Sequence, residues 1–183
     1  MLDSARLRLE PIAREHAALL YDGLQDPALY AYLAADPPID VAELAARYDF
    51  LAGRTSPDGT EVWLNWVLFE RAGSAALGYV QATVRGDAAF LGYVLLTGAQ
   101  RRGYMREAVA AVLDELRRRG VSAVFASVDT RNAGSIAVLE ALAFERLGTE
   151  RSDENVRAGR GRDHRYRLRL GPPPGQAPTM PAG

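Results

Sequence analysis

The strongest pattern in the sequence is a strand, a loop and an amphipathic helix, which follow one another over residues 90–119. Residues 90–96 form a short apolar run that predicts a buried strand. A helix is predicted over 103–119, because apolar residues recur there at spacings of three and four, and Gly120 marks its end. These apolar residues are Met105, Val109, Val112, Leu113 and Leu116. A strand that leads directly into a packed helix is typical of α/β domains.

Shorter patterns surround this unit on both sides. Helices are predicted over 13–24, 40–53 and 135–142, the second beginning with Asp40 and Glu43 in the arrangement of a capping box. Strands are predicted over 7–10, 61–70, 77–84, 121–128, 144–149 and 164–170. The order β-α-α-β-β-β-α-β-α-β-β combines hairpins with two crossover helices, so the fold class is α/β (α+β) with a mixed sheet.

The domain is expected to span residues 1–170. Residues 171–183 contain five prolines and are expected to be a disordered tail. A chain of 183 residues can build one hydrophobic core without disulfides or metals.

The basic residues limit the chemistry. All 22 are Arg, Cys is absent and there are two His, at positions 16 and 164. Without Lys there is no P-loop lysine and no Schiff base. Without Cys there is no thiol nucleophile and no zinc finger. Two His cannot form a three-His metal site, so no metal is expected, and chemistry must come from carboxylates, hydroxyls, arginines or backbone amides.

Charge and hydropathy bear on partners and location. The net charge of −1 argues against a general nucleic-acid or membrane binder, which normally carries a basic excess. No apolar run reaches the roughly 18 residues of a membrane span. The first ten residues carry four charges and no apolar signal core. The expected location is cytoplasmic.

The start of the helix at Gly103 is a candidate anion site. A helix start has unpaired N–H groups and about half a positive charge, so it can hold a phosphate. Arg101 and Arg102 are unfavourable next to that positive end unless an anion is bound. The alternative is that both are solvated loop arginines. The loop matches neither the P-loop nor the dinucleotide-binding fingerprint.

Residues 92–108, GYVLLTGAQRRGYMREA, resemble the acetyl-CoA-binding stretch of the GNAT N-acetyltransferase superfamily, in particular its ribosomal-protein N-acetyltransferase branch. The register of that stretch fits without a gap, and a second block, from Asn132 to Ser135 and on through VLEALAF at 138–144, also resembles that branch. Weaker agreement at 5–11 and 162–166 extends the resemblance to about residues 5–170.

The resemblance implies a mostly antiparallel sheet of six to seven strands flanked by about four helices. It also implies that the strand at 90–96 splays from the strand at 121–128 and that acetyl-CoA lies in the gap. Backbone groups of Val94 and Leu95 would bind the pantetheine, amides of 101–105 would cradle the pyrophosphate, and Asn132 would bond the pantetheine. The full set of implied cofactor-binding residues is Val94, Leu95, Gln100, Arg101, Arg102, Gly103, Tyr104, Met105, Asn132 and Ser135.

The implied reaction is direct attack of an amine on the thioester carbonyl. The Leu95 N–H would stabilise the oxyanion, and Ser135 would assist the departing thiolate. In much of the superfamily a Tyr seven residues after the Asn takes the latter part, but that position is Leu139 here. Ser135 also suits a helix N-cap, and the two roles are compatible.

The sequence differs from the family pattern at two positions, and it has no evident general base. Met105 replaces a small residue near the pyrophosphate, although its spacing with Val109 and Val112 predicts that it points into the core. Ala143 replaces the usual Gly before Phe144. An acid common among relatives is replaced by Phe90, so no general base is evident. The candidates by elimination are Glu61, Glu70, Asp129 and His164.

The acceptor is left open. Trp63, Asn65 and Val67 share one face of the central hairpin, opposite Trp66, and one face is expected to pack on helices while the other lines the acceptor cleft. The expected partners are acetyl-CoA and a primary amine, either a protein N-terminus or a small molecule, and a homodimer is an open alternative to a monomer. A non-catalytic acyl-CoA-binding or sensing module is the alternative function.

Overall fold

The computed structural model describes residues 1–33, 35–151 and 161–172. Four α-helices are present in this part: α1 (His16–Leu24), α2 (Val41–Ala52), α3 (Tyr104–Arg118) and α4 (Ala133–Ala141). The strands are β1 (Leu2–Asp3), β2 (Leu7–Pro11), β3 (Val62–Glu70), β4 (Ala76–Arg85), β5 (Ala88–Leu95), β6 (Ala123–Asp129), β7 (Glu145–Arg151) and β8 (Arg162–Arg169). Short 3₁₀ turns cover Pro27–Ala31 and Thr97–Ala99.

The eight strands form one sheet in the order β1-β2-β3-β4-β5-β6-β8-β7. Every neighbouring pair is antiparallel except β5 and β6, which are parallel and are connected through α3. The predicted mixed, mostly antiparallel sheet with four helices is confirmed. The expected six to seven strands become eight because Leu2 and Asp3 add a short strand paired with Leu9 and Arg8.

Two hydrophobic cores lie on opposite faces of the sheet. One face packs on α3 and α4, with Trp66 and Leu68 of β3 among its buried side chains. The other face packs on α1 and α2 through the alternating residues Val67 and Phe69. Strands β3 to β5 are therefore covered on both sides for part of their length, which explains the nearly continuous apolar run in β3.

Helix α2 begins at its sequence signal, whereas α1 does not. Asp40 caps α2, because its carboxylate accepts the Glu43 N–H at 2.7 Å, and Glu43 in turn accepts the Ile39 N–H at 2.6 Å. Helix α1 begins three residues later than predicted. The imidazole Nδ1 of His16 accepts the Ala13 N–H at 3.0 Å, so Ala13 belongs to the turn that caps the helix.

Apart from Gly171 and Pro172, the tail predicted at 171–183 lies outside the described residues, as do residues 152–160. Leu170 is buried in the core, and the domain end at residue 170 stays a prediction. No helix in the described ranges is long and apolar enough to span a membrane.

Candidate active site

Strands β5 and β6 separate after a short paired stretch. Residues 88–90 pair with 123–125, and in the described part of the chain the two strands share no further pairing. Strand β5 continues to Leu95 alongside β4, and β6 continues to Asp129 alongside β8. A gap therefore opens between the carboxyl halves of β5 and β6, which confirms the predicted splay of these strands.

Backbone groups of β5 face this gap at alternate residues. The Leu96 N–H donates to Leu77 O at 2.9 Å, so these two residues form a hydrogen-bonded pair. Hydrogen-bonded and non-hydrogen-bonded pairs alternate along antiparallel strands, so Val94 turns its N–H and C=O toward β4. Leu95 and Tyr93 turn theirs toward the gap. The Leu95 N–H is thus available for its expected role, whereas Val94 directs its backbone away from the gap.

The other wall of the gap is the start of α4. The helix is capped by Asn132, whose Oδ1 accepts the Ser135 N–H at 3.1 Å, so the suggestion that Ser135 is the N-cap is wrong. The Ser135 hydroxyl has no hydrogen-bond partner in the described ranges. The Tyr93 hydroxyl crosses from β5 and donates to Ser135 O at 3.2 Å. Burial raises the pKa of Tyr93 to about 12, so this hydroxyl stays protonated at neutral pH.

Six consecutive backbone amides are unbonded at the start of α3. Within the described structure, the N–H groups of residues 101–106 have no hydrogen-bond acceptor, and the first amide used by the helix is that of Glu107. Arg101 and Gly103 both have positive φ, 64° and 78°, which turns successive N–H groups toward the same side. Such a concave row of amides at a helix N-terminus binds phosphate oxygens.

A polar network under this amide row holds it in place. The Arg6 guanidinium donates to Glu107 at 2.7 Å and to Arg102 O at 3.1 Å. Arg102 pairs with Glu70 at 3.0 Å, and the Tyr104 hydroxyl donates to the same carboxylate. Arg102 is therefore partly neutralised, and Arg101 is the loop arginine that has no ion pair in the described residues.

Two predicted cofactor-binding residues are placed clearly by the structure. Met105 is buried among the core residues that include Val109 and Val112, which confirms that its side chain points away from the amide row. Gln100 donates its backbone N–H to Thr97 O at 3.2 Å and its side-chain amide to Leu95 O at 2.9 Å. Gln100 therefore stabilises the loop between β5 and α3 through these two hydrogen bonds. The amides without an acceptor begin at Arg101.

Two of the base candidates lie in ion pairs. Glu61 accepts hydrogen bonds from the Trp63 indole at 2.7 Å and from Arg85 at 2.6 Å, and these lower its pKa. Glu70 is occupied by Tyr104 and Arg102. Both carboxylates are therefore already engaged by hydrogen-bond donors.

The other two candidates are also engaged. The fully buried Asp129 carboxylate accepts two bonds from the Arg131 guanidinium, at 2.7 and 2.9 Å, and these bonds lower its pKa. The Nδ1 of His164 lies 2.8 Å from the Thr149 hydroxyl. In the described chain, then, none of the four is an unpaired base. No group of three His, Asp or Glu residues there could hold a metal.

A neutral pocket of about 260 Å³ opens on the α2 side of the sheet, beside β5. Its floor is polar and is formed by neighbouring strands, since Gln81 of β4 lies opposite both Asn65 of β3 and Gly92 of β5. Trp63 and Phe90 also line it. The predicted face shared by Trp63 and Asn65 is confirmed, and Trp66 is buried in the opposite core.

Sequence reasoning missed Tyr93 and Thr83. Tyr93 belonged to a recognised motif, but its hydroxyl contact with α4 depends on the splay. Thr83 becomes part of the pocket only through strand register, because it lies opposite Trp63 and Phe90.

A splayed parallel strand pair beside a helix start with free amides is the arrangement that the resemblance to acyltransferases of nucleotide-linked thioesters led us to expect. The sequence matches the family model of the GNAT acetyltransferase domain over residues 6–145, so the chain belongs to this family. It has the acetyltransferase domain of this family, as the resemblance implied. No curated protein matches the sequence.

Solved structures share the fold at low sequence identity. One is an acetyltransferase from Salmonella typhimurium that modifies the N-terminal serine of ribosomal protein L7/L12, with 19% identity, a TM-score of 0.78 and coverage of 92% of this chain and 97% of that one. Another is the spermidine N-acetyltransferase from Vibrio cholerae in complex with CoA and spermine, with 14% identity, a TM-score of 0.76 and coverage of 90% and 96%. A third is the microcin C7 self-immunity acetyltransferase MccE with acetyl-CoA and AMP, with 16% identity, a TM-score of 0.77 and coverage of 91% and 93%.

Proposed function

We propose that this protein transfers the acetyl group of acetyl-CoA to a primary amine by direct attack, without a covalent enzyme intermediate. The observation that carries the proposal is the row of six free amides at the start of α3, next to the open gap between β5 and β6. The row suits a pyrophosphate, and the gap suits the extended arm attached to it. Direct transfer requires neither Lys nor Cys, which the chain lacks.

The amides of 101–105 bind the pyrophosphate oxygens, and the unpaired Arg101 adds positive charge beside them. The Asn132 side-chain amide lies at the other wall of the gap, where its NH₂ group has no partner in the described residues and can donate to the pantetheine. Buried Met105 leaves the cradle open. The bound donor supplies an acetyl group activated as a thioester.

The chain contributes positioning and two hydrogen-bond donors to the transfer. The Leu95 N–H faces the gap and stabilises the negative charge that develops on the carbonyl oxygen. As the amine nitrogen bonds to the carbonyl carbon and the carbon–sulfur bond breaks, the Ser135 hydroxyl donates a proton to the sulfur. The proton lost by the amine passes to water and from water back to the Ser135 oxygen, so the serine is neutral again after the transfer; all four candidate bases are engaged in hydrogen bonds or ion pairs.

The acceptor we favour is the α-amine of a protein N-terminus, and a small amine is the second candidate. Both are supported by proteins that share the fold, one of which modifies an N-terminal serine and the other spermidine. We place the reaction in the cytoplasm, where acetyl-CoA is available. A monomer and a homodimer are both compatible with the site as proposed.

The experiment is CoA release measured with a panel of peptides and small amines, for the native protein and the Ser135→Ala variant. We expect turnover by the native protein and a fall in kcat of roughly a hundredfold in the variant, with an unchanged KM for acetyl-CoA. The unfolding temperature and the acetyl-CoA affinity of the variant are compared with those of the native protein. Acetyl-CoA binding without turnover on any amine would instead favour the sensing module, and full activity of Ser135→Ala would remove only the role of Ser135.

A further inference from the structure

The neutral pocket beside β5 contains polar side chains that the fold does not satisfy. Asn65 is 8% exposed, and its buried side-chain Nδ2 has no hydrogen-bond partner. Within the described ranges, the side chains of Gln81 and Thr83 also make no hydrogen bond. A buried amide that loses water without gaining a partner destabilises the folded state by about 1–3 kcal/mol. Gln81 and Thr83 are half-buried, so water can reach them, and the buried Asn65 Nδ2 beside them is the group that points to a ligand supplying the missing partner.

The three groups face the same side of the sheet. The strand register aligns Asn65 with Gln81 and Gly92, and aligns Trp63 with Thr83 and Phe90. Because side chains opposite one another on adjacent strands point to one face, both rows lie on the floor of this pocket. Gly92 has no Cβ, and nothing lies within 4 Å of where one would be, so the floor is open beside β5.

The pocket lies within reach of an acceptor in the gap. Gly92 precedes Leu95 by three residues, which is roughly 10 Å along a strand. That distance corresponds to two or three residues of an extended peptide. An amine at the gap could therefore place the groups that follow it in the pocket.

The chemistry of the lining selects a neutral, amide-bearing group. None of the eight lining residues is charged. Glu61 lies near this end of the sheet, but it is neutralised by Arg85. A polyamine would bring a second positive charge into a site with no carboxylate to pair it. The Asn65 and Gln81 amides can each donate and accept, which complements a peptide group.

We propose that Asn65, Gln81 and Thr83 form the acceptor-recognition site and that they bind a neutral amide which follows the reacting amine. The aromatic rings of Trp63 and Phe90 flank this amide. The inference rests on the proposed function, because it names what the acceptor carries. It selects a peptide-like acceptor over a polyamine from the groups that line the pocket.

The test compares alanyl-alaninamide, n-pentylamine and spermidine as acceptors, with rates expressed per concentration of free base. The native protein should use the dipeptide amide with the highest kcat/KM. The variants Asn65→Leu and Gln81→Leu should lose about tenfold or more on the dipeptide amide and less than twofold on pentylamine. Gln25→Leu, which changes the same side chain outside the pocket, is the matched control.

Two further measurements separate this inference from the proposed function. Acetyl-CoA affinity should be the same in all variants, since the pocket does not touch the amide row. Binding of the dipeptide amide to the CoA-loaded protein, measured by calorimetry, should weaken about tenfold in Asn65→Leu whether or not turnover occurs. Equal losses on the dipeptide amide and pentylamine, a native preference for spermidine, or unchanged dipeptide binding would overturn the inference. Turnover on pentylamine alone would overturn it while leaving the acetyltransferase function intact.

Discussion

Ala143 adopts a backbone conformation that normally belongs to glycine. It follows α4 with φ of 61°, and its N–H donates to Glu140 O at 3.0 Å, as in the left-handed turns that end many helices. An L-residue with a Cβ pays about 1 kcal/mol for this conformation. The Ala that replaces the usual Gly at position 143 therefore lowers the stability of the fold locally. It lies at the end of α4 opposite to Ser135, away from the proposed chemistry.

We expect Ala143→Gly to stabilise the protein by about 1 kcal/mol, which for a domain of this size raises the unfolding temperature by roughly 2–4 °C. Ala137→Gly is the matched control. It makes the same change inside α4 at an exposed position, where glycine lowers helix stability by about 1 kcal/mol. Thermal unfolding followed by circular dichroism measures both. A lower unfolding temperature for Ala143→Gly would contradict the assigned strain.

The sequence predicted the position of a side chain where that position depends on contacts within one helix or strand, and failed where it depends on contacts between elements. Met105 was placed correctly, since helical spacing alone decides which face it occupies. Ser135 was suggested as a possible helix cap, but Asn132, three residues earlier, takes that position. Both residue types are good caps, so composition alone cannot decide between them. The Tyr93 hydroxyl donates to Ser135 O of α4, 42 residues later in the chain, and no local sequence pattern predicts such a contact.

At the scale of elements, periodic segments were predicted well and register-dependent features were not. Helix α3 and the central strands followed from apolar spacing. Strand β1 has two residues, too few for any alternation to be read. The row Asn65, Gln81 and Gly92 comes from three strands, and only their pairing register brings it together.

The proposed oxyanion role of the Leu95 backbone amide, on the free edge of β5, can be tested by substitution. Leu95→Pro removes the N–H that faces the gap, whereas the hydrogen bonds to β4 belong to the neighbouring residues Val94 and Leu96. We expect kcat to fall by roughly 10²- to 10³-fold, because a single oxyanion-stabilising donor is lost. Leu95→Ala is the control, since it shortens the side chain and keeps the amide.

The oxyanion role of Leu95 is tested by the steady-state kinetics of the two Leu95 variants. Their unfolding temperatures and acetyl-CoA affinities are measured alongside. The proline variant should remain folded and bind the donor. If Leu95→Pro, folded and binding acetyl-CoA, kept the rate of Leu95→Ala, the oxyanion role of Leu95 would be excluded.

At the scale of the whole molecule, the donor site joins elements that are otherwise separate. The amide row begins α3, Leu95 belongs to β5, and Asn132 and Ser135 begin α4 beyond the gap. Since β5 and β6 pair over three residues, a ligand that fills the gap adds contacts where the sheet itself has none. Binding should therefore stabilise the entire fold against unfolding.

CoA at a hundred times its dissociation constant should add about 2.7 kcal/mol to the free energy of unfolding, or roughly 5–10 °C in unfolding temperature. Gly103→Ala should reduce this shift, because φ of 78° at Gly103 orients the amide row and strains any residue with a Cβ. Gly120→Ala is the matched control, with φ of 81° at the opposite end of α3. Both variants should lose similar stability without ligand, and Gly120→Ala alone should keep the full shift. An equal shift in the two variants, measured by differential scanning calorimetry over a CoA titration, would rule out the amide row as the pyrophosphate site.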